Sequence, residues 1–111
     1  MDRKSLINKL NEYIPVIEKD MYQHTIDVNE MSMLQLRDNL LGMGHILEED
    51  FDNQIYVINI LAGFANKNPA VVVVKIDETK LNFVSYAKEG IINQHTAEKA
   101  VNMIVNKIKT I

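Results

Sequence analysis

The feature that most constrains this chain is the run Ala70-Val71-Val72-Val73-Val74-Lys75-Ile76, with four valines in succession. A half-solvated strand alternates apolar and polar residues; this segment does not alternate, so neither of its faces reads as wet. A short β-branched run of this kind, bounded by turn residues, is the pattern of a strand covered on both sides. Its boundaries are Asn66-Lys67-Asn68-Pro69 before it and Asp77-Glu78-Thr79-Lys80 after it. The run therefore predicts the centre of a sheet.

The neighbouring strands follow from the same logic. Ile55-Tyr56-Val57-Ile58-Asn59-Ile60-Leu61-Ala62 is rich in β-branched residues and reads as a first strand, and Lys80 to Tyr86 reads as a third. Short connections favour an antiparallel meander with the valines in the middle.

Helical spacing marks the remainder. Leu6, Leu10, Ile14 and Ile17 recur on one face between about Asp2 and Tyr22, with Pro15 kinking one helix or opening a second. His24 to Glu30 reads as a connector. Ser32 and Gln35 stand at capping-box spacing and start a second helix over Met33 to Glu49, striped by Leu36, Leu40, Met43 and Leu47. Gly42 and Gly44 weaken its last turns. Ala97, Ala100, Val101, Ile104, Val105, Ile108 and Ile111 trace the apolar stripe of a C-terminal amphipathic helix. The expectation is one α+β domain over residues 1–111: two N-terminal helices, a three-stranded antiparallel meander and a C-terminal helix, in the order ααβββα. Both sheet faces then need cover. Either the N-terminal pair takes one face and the last helix the other, or all helices share one face and a second subunit covers its opposite.

Composition narrows the functional classes. With 47% hydrophobic and 24% charged residues the chain reads as globular, and 111 residues suffice to bury a core without disulfides or a metal. It contains no cysteine, which removes disulfide frameworks, thiol catalysis and cysteine-based zinc sites, and Met1-Asp2-Arg3-Lys4-Ser5 leads into a polar segment with no signal-peptide apolar core, so a cytoplasmic location is expected. The longest apolar stretch, Ile55 to Phe64, is too short and too interrupted to span a bilayer, so no membrane role is expected. Residues 1–50 hold ten acids against five bases and residues 51–111 five acids against seven bases, which makes the first half acidic. An acidic overall charge with only two arginines argues against nucleic-acid binding. Ten lysines against those two arginines, with abundant Asn and Ile, suit an AT-rich bacterial or phage genome.

No residue pattern names a reaction or a cofactor. Gly42-Met43-Gly44 lacks both a third glycine and a preceding strand, so it is no dinucleotide loop. His24, His45 and His95 each precede a carboxylate by three residues, a spacing that reads as surface ion pairs. A sharper reading joins His45 with Glu48 or Glu49 and Asp52 as a weak divalent-metal site. The acidic run Glu48, Glu49, Asp50 and Asp52 is a candidate surface for a basic partner, and Met31, Met33 and Met43 are a candidate adaptable docking surface. The element order resembles that of small α+β regulatory and immunity-type proteins. The expectation is thus a small non-catalytic binding or regulatory protein that acts through protein contacts. It is expected to be a homo-oligomer such as a homodimer, in a form resembling an inhibitor or immunity protein. The alternative is a ligand-binding domain or enzyme with a pocket between sheet and helices, lined by Tyr56, Phe83 and Tyr86.

Overall fold

A computed structural model describes residues 3–90 and 92–109. Helix α1 (Arg3–Asn11) leads through a short 3-10 turn at Glu18–Asp20 into strand β1 (Tyr22–Asp27). Helix α2 (Met33–Leu40) follows, then β2 (His45–Asp50), β3 (Ile55–Ala62), β4 (Asn68–Asp77), β5 (Lys80–Tyr86) and helix α3 (Thr96–Lys109). The strands form one five-stranded antiparallel sheet in the order β1-β5-β4-β3-β2.

The α+β class holds, and the three-stranded meander is corrected to five strands. The expected connector from His24 to Glu30 contains most of β1, which pairs with β5 from Tyr22↔Ser85 to Asp27↔Lys80. Its ladder partner lies more than fifty residues away in sequence, so nothing local announces the pairing. The expected second helix also stops early. A capping box between Ser32 and Gln35 starts α2 as expected, but the element ends at Leu40, and Gly42 beyond it takes a left-handed φ of 85°. The chain released there becomes β2, whose helix-favouring Glu48 and Glu49 are overruled by pairing with β3. In the first segment, the Asn11 side-chain oxygen accepts the Val16 N–H at 3.0 Å, and residues beyond α1 turn away instead of continuing a helix through Pro15. Ile111, the last member of the α3 stripe, lies outside the described residues.

The valine run occupies the middle of the sheet, between β3 and β5. Val71 and Val73 pack with Leu6 and Leu10 of α1, together with Ile55, Val57, Val84 and Tyr86. Val72 and Val74 face the other way, into a larger core with Met33, Leu36 and Leu40 of α2 and Val101 and Ile104 of α3. Cover is therefore divided within one chain: α1 takes one face, α2 and α3 the other. This differs from both arrangements expected, because α1 and α2 do not act as a pair. Tyr56 and Phe83, expected to line a pocket, are at most 1% exposed inside the packed core, and the Tyr56 hydroxyl donates to the Met33 carbonyl at 2.8 Å.

Candidate functional site

A cavity lies where the sheet ends beside the start of β1, a cleft of about 790 Å³. One wall is the segment Ile14 to Tyr22, the other runs from Tyr86 to Glu98. Its floor is apolar: Tyr86, Ala87 and Ala97 are buried, and Ile14 and Val16 are half-buried against the α1-side core. The rim carries Lys19, Asp20, Lys88, Asn93, His95 and Glu98, together with Ile17, which stays 52% exposed.

A hydrogen-bonded node holds the second wall in place. Glu89 Oε1 accepts the Thr96 N–H at 2.9 Å and Glu89 Oε2 accepts the Gln94 N–H at 3.2 Å, so a carboxylate sits at the otherwise unpaired amide end of α3. Burial pushes the Glu89 carboxyl up, but the Thr96 and Gln94 donors, with a smaller contribution from His95, outweigh it and hold it below its ordinary value. The Gln94 side chain accepts the Phe64 N–H at 2.8 Å, and Asn68 donates to the buried Thr96 hydroxyl at 2.9 Å, which ties the β3–β4 loop to the same node. Gly63 makes this possible: its φ is 74°, and a Cβ there would sit 2.6 Å from Thr96 Oγ1. On the cleft side, His95 adopts a left-handed φ of 54° while its N–H donates to Asn93 Oδ1 at 2.8 Å and its carbonyl accepts the Lys99 N–H at 3.0 Å.

The acidic run singled out in the sequence is split. Successive residues of β2 point to opposite faces of the sheet. Glu48 turns toward α1, where it accepts from Lys9 Nζ at 3.0 Å and from the Tyr13 hydroxyl. Those donors, Tyr13 first, hold the Glu48 carboxyl below its ordinary value; Glu48 in turn raises Lys9 and pushes the Tyr13 hydroxyl up to about 12. Glu49 turns to the other face and pairs with Arg37 at 3.2 Å. Asp50 accepts from the Asn53 N–H and side-chain amide at 3.1 and 2.9 Å, bracing the β2–β3 turn, and that contact lowers its carboxyl. Asp52 is exposed in that turn.

The methionines and histidines are similarly dispersed. Met33 is buried in the main core, and Met31 and Met43 pack against it. His24 stacks on Tyr22 with ring centroids 6.0 Å apart, His45 opens β2, and His95 alone of the three borders the cleft. Among the described residues no three His, Cys, Asp or Glu side chains converge in a way that would hold a metal ion. Of the expected pocket residues Tyr86 lines the cleft, and Tyr56 and Phe83 do not.

Sequence reasoning passed over Ile14, Val16, Glu89, Asn93 and Thr96, which build the cleft. Only the polar run Asn93-Gln94-His95-Thr96 ahead of an apolar helix stripe marks it locally, as turn and capping chemistry. A mixed-charge rim over an apolar floor suits a ligand with apolar side chains and charges of both signs, such as a peptide segment. Among the described residues no helix is long and apolar enough to cross a membrane. Comparison of the chain with protein-family models, with curated proteins and with solved structures finds no match in any of the three.

Proposed function

We propose that the protein is a small non-catalytic binding protein that acts through protein–protein contacts, with the cleft between Ile14–Tyr22 and Tyr86–Glu98 receiving a segment of its partner. The observation that carries this reading is the prebuilt cleft itself. Its second wall is locked by the Glu89–Thr96–Gln94 node, its floor is apolar, and exposed Ile17 stands at its rim between lysines and acids. Preformed walls reduce the ordering cost of binding, and an exposed apolar residue on a polar rim is a natural anchor for a protein segment. An inhibitor-like or immunity-like role belongs to this proposal with the cleft as the contact, since Glu48, Glu49 and Asp50 are engaged inside the chain. The proposal includes a cytoplasmic setting.

A second reading, a small-ligand site, is favoured by the same volume of about 790 Å³, which falls in the range of small-molecule pockets. Exchange of the rim charges tests both. Lys88→Glu combined with Glu98→Lys alters two exposed positions and leaves the floor intact. Affinity capture from host lysate should lose a protein partner in this variant and keep it in Asp52→Lys. Equal capture by both overturns the cleft as the contact, and a small molecule retained by the purified protein in native mass spectrometry favours the second reading.

A further inference from the structure

The two ends of the sheet are unlike. β2 is an edge that resists a further strand: its register is broken between Ile46 and Glu48, and Glu48, Glu49 and Asp50 follow one another along it. β1, the opposite edge, runs in unbroken register against β5, contains no proline, and its one carboxylate, Asp27, is paired with Lys80 at 2.6 Å. The Val28 N–H donates to the Thr79 carbonyl on the β5 side at 2.7 Å. By alternation Ile26, His24 and Tyr22 also turn their backbone groups toward β5, so Gln23, Thr25 and Asp27 turn theirs outward.

We propose that β1 pairs antiparallel with β1 of a second copy of this chain, about a two-fold axis through Thr25. An axis perpendicular to the sheet keeps helix face with helix face and continues the sheet across both copies. Thr25 then stands opposite Thr25 of the second copy, and Gln23 stands opposite its Asp27. Tyr22 stands opposite Val28 and His24 opposite Ile26, so each face receives matched side chains. Facing threonines, aromatic against β-branched residues, and amide against carboxylate are all favourable cross-strand pairs. Charge agrees as well: Arg3 Nε donates to Gln23 Oε1 at 2.5 Å, which brings a guanidinium to the end of β1 that meets the second copy's Asp27. A two-fold axis through Glu48 of β2 would instead set that carboxylate against its own copy.

The test uses the full chain. Light scattering and sedimentation at concentrations up to about 100 µM should show a dimer that dissociates on dilution. Thr25→Pro removes only an outward N–H, so it should leave the β5 ladder and the circular dichroism spectrum intact while making the protein monomeric. Because the chain has no cysteine, Thr25→Cys places a single thiol at the axis. Cα atoms there lie about 5.5 Å apart, within disulfide reach, so mild oxidation should give a covalent dimer. His24→Cys, opposite Ile26, should crosslink at least about fivefold more slowly. A wild-type monomer at the highest concentration, a dimer unaffected by Thr25→Pro, or faster crosslinking through His24→Cys overturns the proposal. Failure here leaves the cleft reading standing, since Lys88 and Glu98 lie outside β1.

Discussion

The two faces of the sheet are covered unequally. Opposite α2 and α3 the three central strands contribute apolar side chains along most of their length: Tyr56, Ile58, Ile60 and Ala62 of β3, Ala70 to Ile76 at alternate positions of β4, and Leu81 and Phe83 of β5. Opposite α1 the apolar centre of Val57, Val71, Val73 and Val84 gives way to Thr25, Lys75 and Asn82, beyond the reach of a helix of nine residues. There polar groups satisfy one another, as in the bond from Thr25 to Asn82 at 2.8 Å. The contrast teaches that the amount of helix available sets how far a strand stays apolar on each side. The valine run is the place where both helical layers overlap.

Truncation measures that inequality most directly. Leu36→Ala and Ile104→Ala, both fully buried on the two-helix face, should each cost in the upper part of roughly 2–5 kcal/mol by denaturant unfolding. Leu10→Ala, equally buried, should cost in the lower part of that same ~2–5 kcal/mol range, because α1 is bordered by exposed segments free to settle into the space. Equal losses on the two faces would break the comparison. Gly63→Ala should cost about 1–3 kcal/mol, through its left-handed backbone and the crowding of Thr96, and should loosen the cleft wall as read by amide exchange around Gln94.

Smaller effects sharpen it. On the two-helix face Ser85 Oγ is buried with no hydrogen-bond partner among the described residues. Ser85→Ala should therefore leave stability unchanged or raise it by up to about 1 kcal/mol. A clear loss in thermal melting would mean that the hydroxyl is satisfied. On the α1 face, the Glu48 carboxyl lies below its ordinary value, so its contribution is present above that value and is lost as pH falls through the folded one. Lys9 and Tyr13 lie above theirs, so their contributions hold below their ordinary values and fade as pH rises, for Tyr13 toward about 12. Glu48→Gln should flatten both limbs of the stability–pH curve by under about 1 kcal/mol. An unchanged acid limb would show that this pair does not anchor α1 to β2.

Legibility followed how local each signal was. β3 and β5 lie where β-branched composition placed them, at Ile55–Ala62 and Lys80–Tyr86, and the capping box at Ser32 marked the start of α2. β1 and β2 were hidden for different reasons. Tyr22 to Asp27 has weak alternation and depends on a partner near residue 83, whereas Leu47 continued the helical stripe of Leu36, Leu40 and Met43 across the glycines that end the helix. The cleft was harder still, because its walls come from segments about seventy residues apart and its locking carboxylate, Glu89, stands in a short polar stretch like any turn.

By itself, then, the sequence determined a sheet centre dry on both sides, an amphipathic last helix and an α+β class, because hydrophobic periodicity is a property of neighbours along the chain. Tertiary structure alone decided that α1 is separated from α2, that two further strands close the edges, and that Glu48 and Glu49 face apart. Those outcomes rest on ladder pairing and packing between residues far apart in sequence. Such contacts form only when the whole chain has found a common arrangement, so no local window contains them.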